Sequence, residues 1–281
     1  MCVTCGCSDE SEDKITNLET GEMVHNHHHH THTLADGTVI THSHSHEQEP
    51  SQIHAKIHNT TISLEQEILG KNNLLAAQNR GWFKGRNILS LNLMSSPGAG
   101  KTTLLTQTIN DLKHQLPITV IEGDQETIND AEKIKETGCK VVQINTGTGC
   151  HLDASMIERG LQQLNPPINS VLMIENVGNL VCPALFDLGE QAKVVILSVT
   201  EGEDKPIKYP HIFRASEIMI LTKIDLLPYV NFDVQRCVEY AKQVNPNIQI
   251  FQVSATTGLG LDTWYKWLTN KVANSSVPVF P

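Results

Sequence analysis

Residues 95–103 read SSPGAGKTT, a glycine-rich turn that ends in a lysine and two threonines. An apolar strand (LNLM) precedes it and a helix opening (KTTLL) follows. In that setting backbone N–H groups between Pro97 and Thr102 can wrap a phosphate, Pro97 itself having none to give. The helix N-terminus adds its partial positive charge. Lys101 reaches the β- and γ-phosphates and Thr102 offers its hydroxyl to Mg²⁺, with Gly98, Ala99, Gly100 and Thr103 as the remaining contacts. Ser95 stands where the general G-x-x-x-x-G-K-[ST] pattern has its first glycine. The alternative, a turn without a ligand, leaves the agreement of strand, turn, Gly-Lys-Thr and helix unexplained.

A second motif reads the base. Thr222-Lys223-Ile224-Asp225 ends an apolar strand and resembles the N-K-x-D of GTP-binding proteins, with Thr for Asn. The Asp225 carboxylate can accept two N–H donors from guanine, a pair that adenine does not supply. The Lys223 stem would pack along the base plane. Ser254-Ala255, in QVSAT, resembles the second guanine-contact loop. Two acidic residues stand where Mg²⁺ chemistry occurs: Asp124 at the end of ITVIEGD, and Glu175 at the end of VLMI. Lys101, Asp124 and Glu175 are the catalytic candidates, and Thr102 and Asp124 the Mg²⁺ ligands. ENVG takes the place of D-x-x-G, so Gly178 can bond a γ-phosphate and move after hydrolysis. No glutamine occupies the water-positioning place, which predicts slow hydrolysis and a timed switch.

A third group suits soft metals. Cys150 and His151 follow one strand and Cys182 follows the next. In a parallel sheet both loops leave the carboxyl edge, where the phosphate loop also lies. Two thiolates and an imidazole suit Zn²⁺ or Ni²⁺ but are one donor short of a closed site, which a two-fold dimer can complete. Cys139 and Cys237, by contrast, read as core residues. At the N-terminus Cys2, Cys5 and Cys7 form C-x-x-C-x-C, with the terminal amine near enough to be a fourth donor, a set Ni²⁺ accepts in square-planar geometry. His25, His27, His28, His29, His30, His32, His42, His44 and His46 follow as overlapping weak metal sites. An expression tag would be one uninterrupted run, which this tract is not.

These residues need a scaffold, and the remaining sequence supplies one. Residues 1–50 carry the Cys and His clusters with almost no apolar grouping, and read as a flexible metal-binding tail. Residues 51–85 form a linker with a lead-in helix over 63–80, capped by Ser63 with Gln66 at the capping-box position and stopped by Gly81. From 86 to 274, short β-branched runs (ILSLNLMSS, ITVIEGD, KVVQINT, VLMIENV, KVVILSV, EIMILTK, IQIFQVS) alternate with amphipathic segments. The runs are apolar throughout, as strands buried on both faces are. The expected fold is α/β: a P-loop NTPase with a doubly wound, mainly parallel sheet flanked by helices. Residues 275–281 read as a short tail.

The chain of 281 residues has a formal net charge of −10, which speaks against nucleic-acid binding through a basic surface. No apolar run approaches the roughly 20 residues of a membrane helix. No basic start followed by an apolar stretch marks a signal peptide, so a reducing cytoplasm is expected.

Taken together, CVTCGC, the His tract, SSPGAGKTTLL, EGD, GTGCHLDA, IENVGNLVCP and LTKIDLLPYV resemble the HypB family, the nickel-incorporation GTPases of [NiFe]-hydrogenase maturation. The resemblance covers essentially the whole chain. It implies GTP hydrolysis to GDP, GTP-promoted homodimers, and nickel transfer toward a hydrogenase large-subunit precursor with a HypA-type zinc metallochaperone as partner. By motif, Cys2, Cys5 and Cys7 match a tight N-terminal nickel site, and Cys150, His151 and Cys182 a nickel or zinc site of the GTPase domain. Metal storage, and delivery to urease or a zinc enzyme, are the rival readings.

Overall fold

A computed structural model describes residues 15–16, 23–24, 30–33, 39–42, 52–124, 129–147 and 149–275. Met1–Glu65 and Gln66–Pro281 form two compact units. In the first, β1 (Ile15–Thr16) pairs antiparallel with β2 (Met23–Val24), and β3 (His30–Thr33) with β4 (Val39–His42), His30 opposite His42. Helix α1 begins in this unit and runs Gln52–Gly85.

The second unit continues through β5 (Leu89–Ser95), α2 (Lys101–Leu112), β6 (Ile118–Asp124), α3 (Asn129–Glu136), β7 (Lys140–Asn145), α4 (Ala154–Leu164) and β8 (Val171–Gly178). After them come α5 (Cys182–Leu185), β9 (Ala192–Ser198), α6 (Lys205–Lys208), α7 (Pro210–Ala215), β10 (Ile218–Thr222), α8 (Val234–Val244), β11 (Gln249–Gln252) and α9 (Leu261–Ser275). Seven of these strands form one sheet in the order β11-β10-β9-β5-β8-β6-β7. Every pairing in it is parallel. The connection after β5 runs one way along the sheet and those after β8, β9 and β10 run the other way. The neighbouring strands β5 and β9 therefore send their connections apart, which makes the carboxyl end of β5 the switch point of the sheet.

The central strands are apolar throughout because helices cover both faces. On β8, Val171 and Met173 pack with Leu104, Leu105 and Ile109 of α2 and Trp264 and Leu268 of α9. Leu172 and Ile174 point the other way, among Ile157 and Leu161 of α4 and Phe83 of α1. The same alternation puts Val195 and Leu197 of β9 with Phe213 and Cys237 on α7 and α8.

Two differences from the sequence reading have physical causes. Helix α1 is longer than 63–80 and passes through Gly81, where it was expected to stop. The space around Gly81 is open, and Phe83, only 3 % exposed, anchors the last turn in the core. Helix α9 has no counterpart in the sequence reading. It is held by Trp264, whose Nε1 donates to Thr108 Oγ1 at 3.2 Å.

Candidate nucleotide and metal sites

The phosphate loop is built where β5 hands over to α2. Gly98 and Gly100 have φ of +74° and +94°, a region that side chains rarely adopt, so the two glycines are what allow the turn. Lys101 is buried, and its Nζ donates to Ser95 Oγ at 2.8 Å; Ser95 Oγ in turn donates to the Ser96 carbonyl at 2.6 Å. The serine in place of glycine is thus a partner of the loop lysine. Burial pushes the Lys101 ammonium below its ordinary range, while nearby Glu175 acts in the opposite direction.

Thr102 Oγ1 donates to Glu175 Oε1 at 2.7 Å. Strand β8 continues to Gly178, so Glu175 lies within the strand rather than at its end. Opposite it on β6 is Glu122, which the sequence reading missed. Burial, reinforced by the charge of Glu175, pushes the Glu122 carboxyl up to about 8. Burial also raises Glu175, against the pull of Lys101. Glu122 Oε2 and Glu175 Oε2 are buried without a hydrogen-bond partner. Two orphaned carboxylate oxygens beside a threonine hydroxyl are hard donors of the kind Mg²⁺ takes. Period-two spacing was the available signal, since Glu122 and Asp124 share one side of β6.

The base-reading loop clasps the phosphate loop. Thr222 Oγ1 donates to the Ala99 carbonyl at 2.6 Å, and Lys223, with φ +60°, sends Nζ to the Gly98 carbonyl at 2.7 Å. The threonine that replaces asparagine is therefore engaged with the loop it faces. Asp225 follows in a 3-10 turn, Ile224–Tyr229, whose first N–H bonds the Val253 carbonyl at 3.3 Å. This ties the start of the Asp225 turn to Val253, the residue before Ser254 and Ala255. Ser254 Oγ accepts from Thr257 N at 3.2 Å and shapes that loop.

The metal-type residues converge across two loops. Cys150 Sγ lies 2.9 Å from Cys182 Sγ and 3.6 Å from His151 Nδ1. One ligand atom from each residue falls within 4.8 Å of the others. Burial lowers the His151 pKa and favours the neutral ring that can coordinate a metal. The ring stacks on Phe186, centroids 3.9 Å apart. Cys139 and Cys237 are different: burial pushes each thiol up to about 12, as for inert structural cysteines.

One stretch of chain, 175–182, touches both sites. Glu175 holds Thr102. Gly178 lies against Pro97 of the phosphate loop, where a Cβ would come within 3.0 Å of the proline ring. Asn179 Nδ2 donates to the Cys150 carbonyl at 3.4 Å, and Cys182 brings its thiol. Of the other residues singled out, Gly98, Ala99, Gly100 and Thr103 line the loop and its helix. Asp124 ends β6, its carbonyl accepting Thr146 N at 2.9 Å. His30, His32 and His42 lie on β3 and β4. Cys2, Cys5, Cys7, His25, His27, His28, His29, His44 and His46 lie outside the described residues.

Residues 90–252 match the family model for the CobW/HypB/UreG nucleotide-binding domain. The chain is 58 % identical to the hydrogenase maturation factor HypB of Escherichia coli K12, over 74 % of this chain and 71 % of that one. It is 44 % identical to HypB of Cupriavidus necator, covering 95 % and 88 % of the two chains. The chain belongs to the HypB family. A HypB from Helicobacter pylori, crystallised in complex with nickel, superposes with a TM-score of 0.69 at 36 % identity, over 75 % of this chain and 99 % of that one. The residues matched by the family model run from β5 through β11 and include the loops that carry Cys150, His151 and Cys182. Among the described residues no helix is long and apolar enough to cross a membrane.

Proposed function

We propose that this chain is a GTP-hydrolysing nickel metallochaperone. It binds Ni(II) and promotes its insertion into the precursor of a [NiFe]-hydrogenase large subunit. The reading rests above all on the 175–182 stretch, which meets the phosphate loop at Thr102 and Pro97 and the thiol pair at Cys150. It draws further support from the names of the relatives and from the nickel complex of the H. pylori protein.

In this reading Gly98 to Thr103 hold the phosphates, and Lys101 leaves Ser95 for the β/γ-oxygens. Thr102 and Asp124, joined by the Glu122 and Glu175 oxygens, hold Mg²⁺, whose charge offsets that of the β/γ-phosphates. Asp225 reads guanine, with Lys223, Thr222, Ser254 and Ala255 shaping the base site. Turnover is slow, since no glutamine stands beside Gly178 to orient water. Cys150, His151 and Cys182 take nickel as cargo, and their thiolate–imidazole chemistry accepts zinc equally. Cys2, Cys5 and Cys7 form a separate nickel site, fed by the histidine tract. GTP promotes a homodimer through the face bearing Cys182, where Val181 and Leu185 are 43 % and 40 % exposed. A HypA-type metallochaperone is the partner in delivery, in the cytoplasm.

The test is Lys101→Ala in a cell that depends on its hydrogenase. The expected result is loss of nickel in the hydrogenase while nickel per chain of this protein stays at the wild-type level. Hydrogenase activity that survives the substitution would contradict the switch, and storage would remain as the function.

A further inference from the structure

Strand β8 carries an irregularity beside the nucleotide site. Leu93 of β5 pairs with Glu175, but Ser95 pairs with Gly178, so β8 has one residue more than β5 across that interval. The extra residue makes a bulge at Asn176–Val177, and bulges re-aim side chains near functional sites. Glu175 points at Thr102; Asn176 points to the opposite face.

Asn176 is 1 % exposed and every polar atom of its side chain is used. Its Oδ1 accepts from Val177 N at 3.0 Å, closing the bulge, and from Leu152 N at 3.2 Å. Its Nδ2 donates to Asn92 Oδ1 at 3.1 Å, on β5. Leu152 directly follows His151, and its side chain is itself fully buried. A Cβ placed on Gly123 would lie 2.7 to 2.8 Å from Leu152 Cγ, Cδ1 and Cδ2. The leucine is thus seated on β6 at Gly123, on the face opposite the side chains of Glu122 and Asp124. One residue ties the Cys150–His151 loop to both strands that carry the carboxylates.

We infer that Asn176 and Leu152 are positioning residues that fix Cys150 and His151 to the sheet, so that movement of the 178–182 stretch alone changes the metal site. The inference rests on the proposed coupling of nucleotide and nickel. Gly178 abuts the phosphate loop, and Cys182 lies four residues beyond it, buried at the start of α5. If the Cys150–His151 loop were free to follow Cys182, the Sγ–Sγ distance would stay the same in both nucleotide states. A fixed side makes the other side's motion count.

The experiment uses the full chain carrying Cys2/Cys5/Cys7→Ser, with Ni(II) binding followed through the thiolate-to-nickel charge-transfer band, to which the histidine tract is silent. Affinity is measured with GDP and with a non-hydrolysable GTP analogue. Allosteric couplings typically span about 5- to 150-fold, and a ratio in that range is expected in this background. In Asn176→Ala and in Leu152→Ala the ratio should fall to within about twofold of one, and in Leu152→Met, which keeps the seat filled, it should hold. Leu152→Val is the gentler step, expected to fall between them, and gives the answer if the alanine variants do not fold. A full ratio in Leu152→Val, or in either alanine variant that still binds GDP, would overturn the inference and leave the coupling intact. A ratio of one in the starting background would remove the coupling, and the inference with it.

Discussion

The phosphate loop and the thiol site occupy the same edge of the sheet, but they are made in opposite ways. The first is contiguous, residues 95–103, and its shape is set by local rules: two glycines at positive φ, a helix start and a buried lysine on Ser95. The second is assembled from Cys150 and Cys182, 32 residues apart in the chain. Its two loops are held by residues outside the Cys/His set: Asn176 on Leu152 N, Asn179 on the Cys150 carbonyl and Phe186 on the His151 ring. A contiguous site can fail only at its own residues, whereas an assembled one can also fail at its supports.

Damage to the contiguous site should have the largest effect. Lys101→Ala is expected to lower GTP turnover by about 10²–10³-fold, the scale of losing one preorganised charge donor, as read by phosphate release. Without nucleotide, the same variant should bind nickel at the Cys150–Cys182 site as the wild type does. A parallel loss of both would mean that the two regions are one site. Cys182→Ser should weaken that nickel site by at least about 10–100-fold, because loss of an outer-sphere partner alone reaches that scale. GDP binding should be unchanged, and isothermal titration with each ligand reads both. Next comes Asp225→Asn, which swaps a carboxylate with two acceptor oxygens for an amide with one. It should cost about 1.5–3 kcal/mol in GTP affinity, and competition against xanthosine triphosphate checks it.

Smaller effects test the supports. Gly123→Ala forces a methyl into the Leu152 side chain and should destabilise the fold by about 1–3 kcal/mol, seen as a lower Tm. Arg80 donates through Nη2 to both oxygens of Asp187, at 2.6 and 2.7 Å, but both side chains are more than a third exposed. Arg80→Ala should therefore cost less than about 1 kcal/mol and leave nickel binding alone. A large effect on nickel would extend the supports of the thiol site to the end of α1.

The same contrast governs how much the sequence reveals. SSPGAGKTT is legible because every instruction for its shape is local, and the seven strands are legible because burial on both faces makes each a continuous apolar run. The convergence of Cys150, His151 and Cys182 follows from parallel topology, which sends both loops to one edge. Asn176 is illegible for a definite reason. Its direction depends on a bulge, and a bulge is a relation between β8 and β5, invisible in either strand alone. Glu122 was hidden among apolar neighbours, in a run read for strand rather than for charge. Gly81 misled because a glycine ends a helix only when the next residues gain nothing by continuing, and Phe83 does gain.

Linkage offers the most direct test of the central claim, that nucleotide and nickel share one stretch of chain. If GTP alters nickel affinity by a given factor, nickel must alter GTP affinity by the same factor. In the Cys2/Cys5/Cys7→Ser chain, the affinity for a non-hydrolysable GTP analogue relative to GDP should change on nickel loading by the factor found for nickel between the two nucleotides. Nucleotide affinities that are the same with and without nickel would contradict the claim.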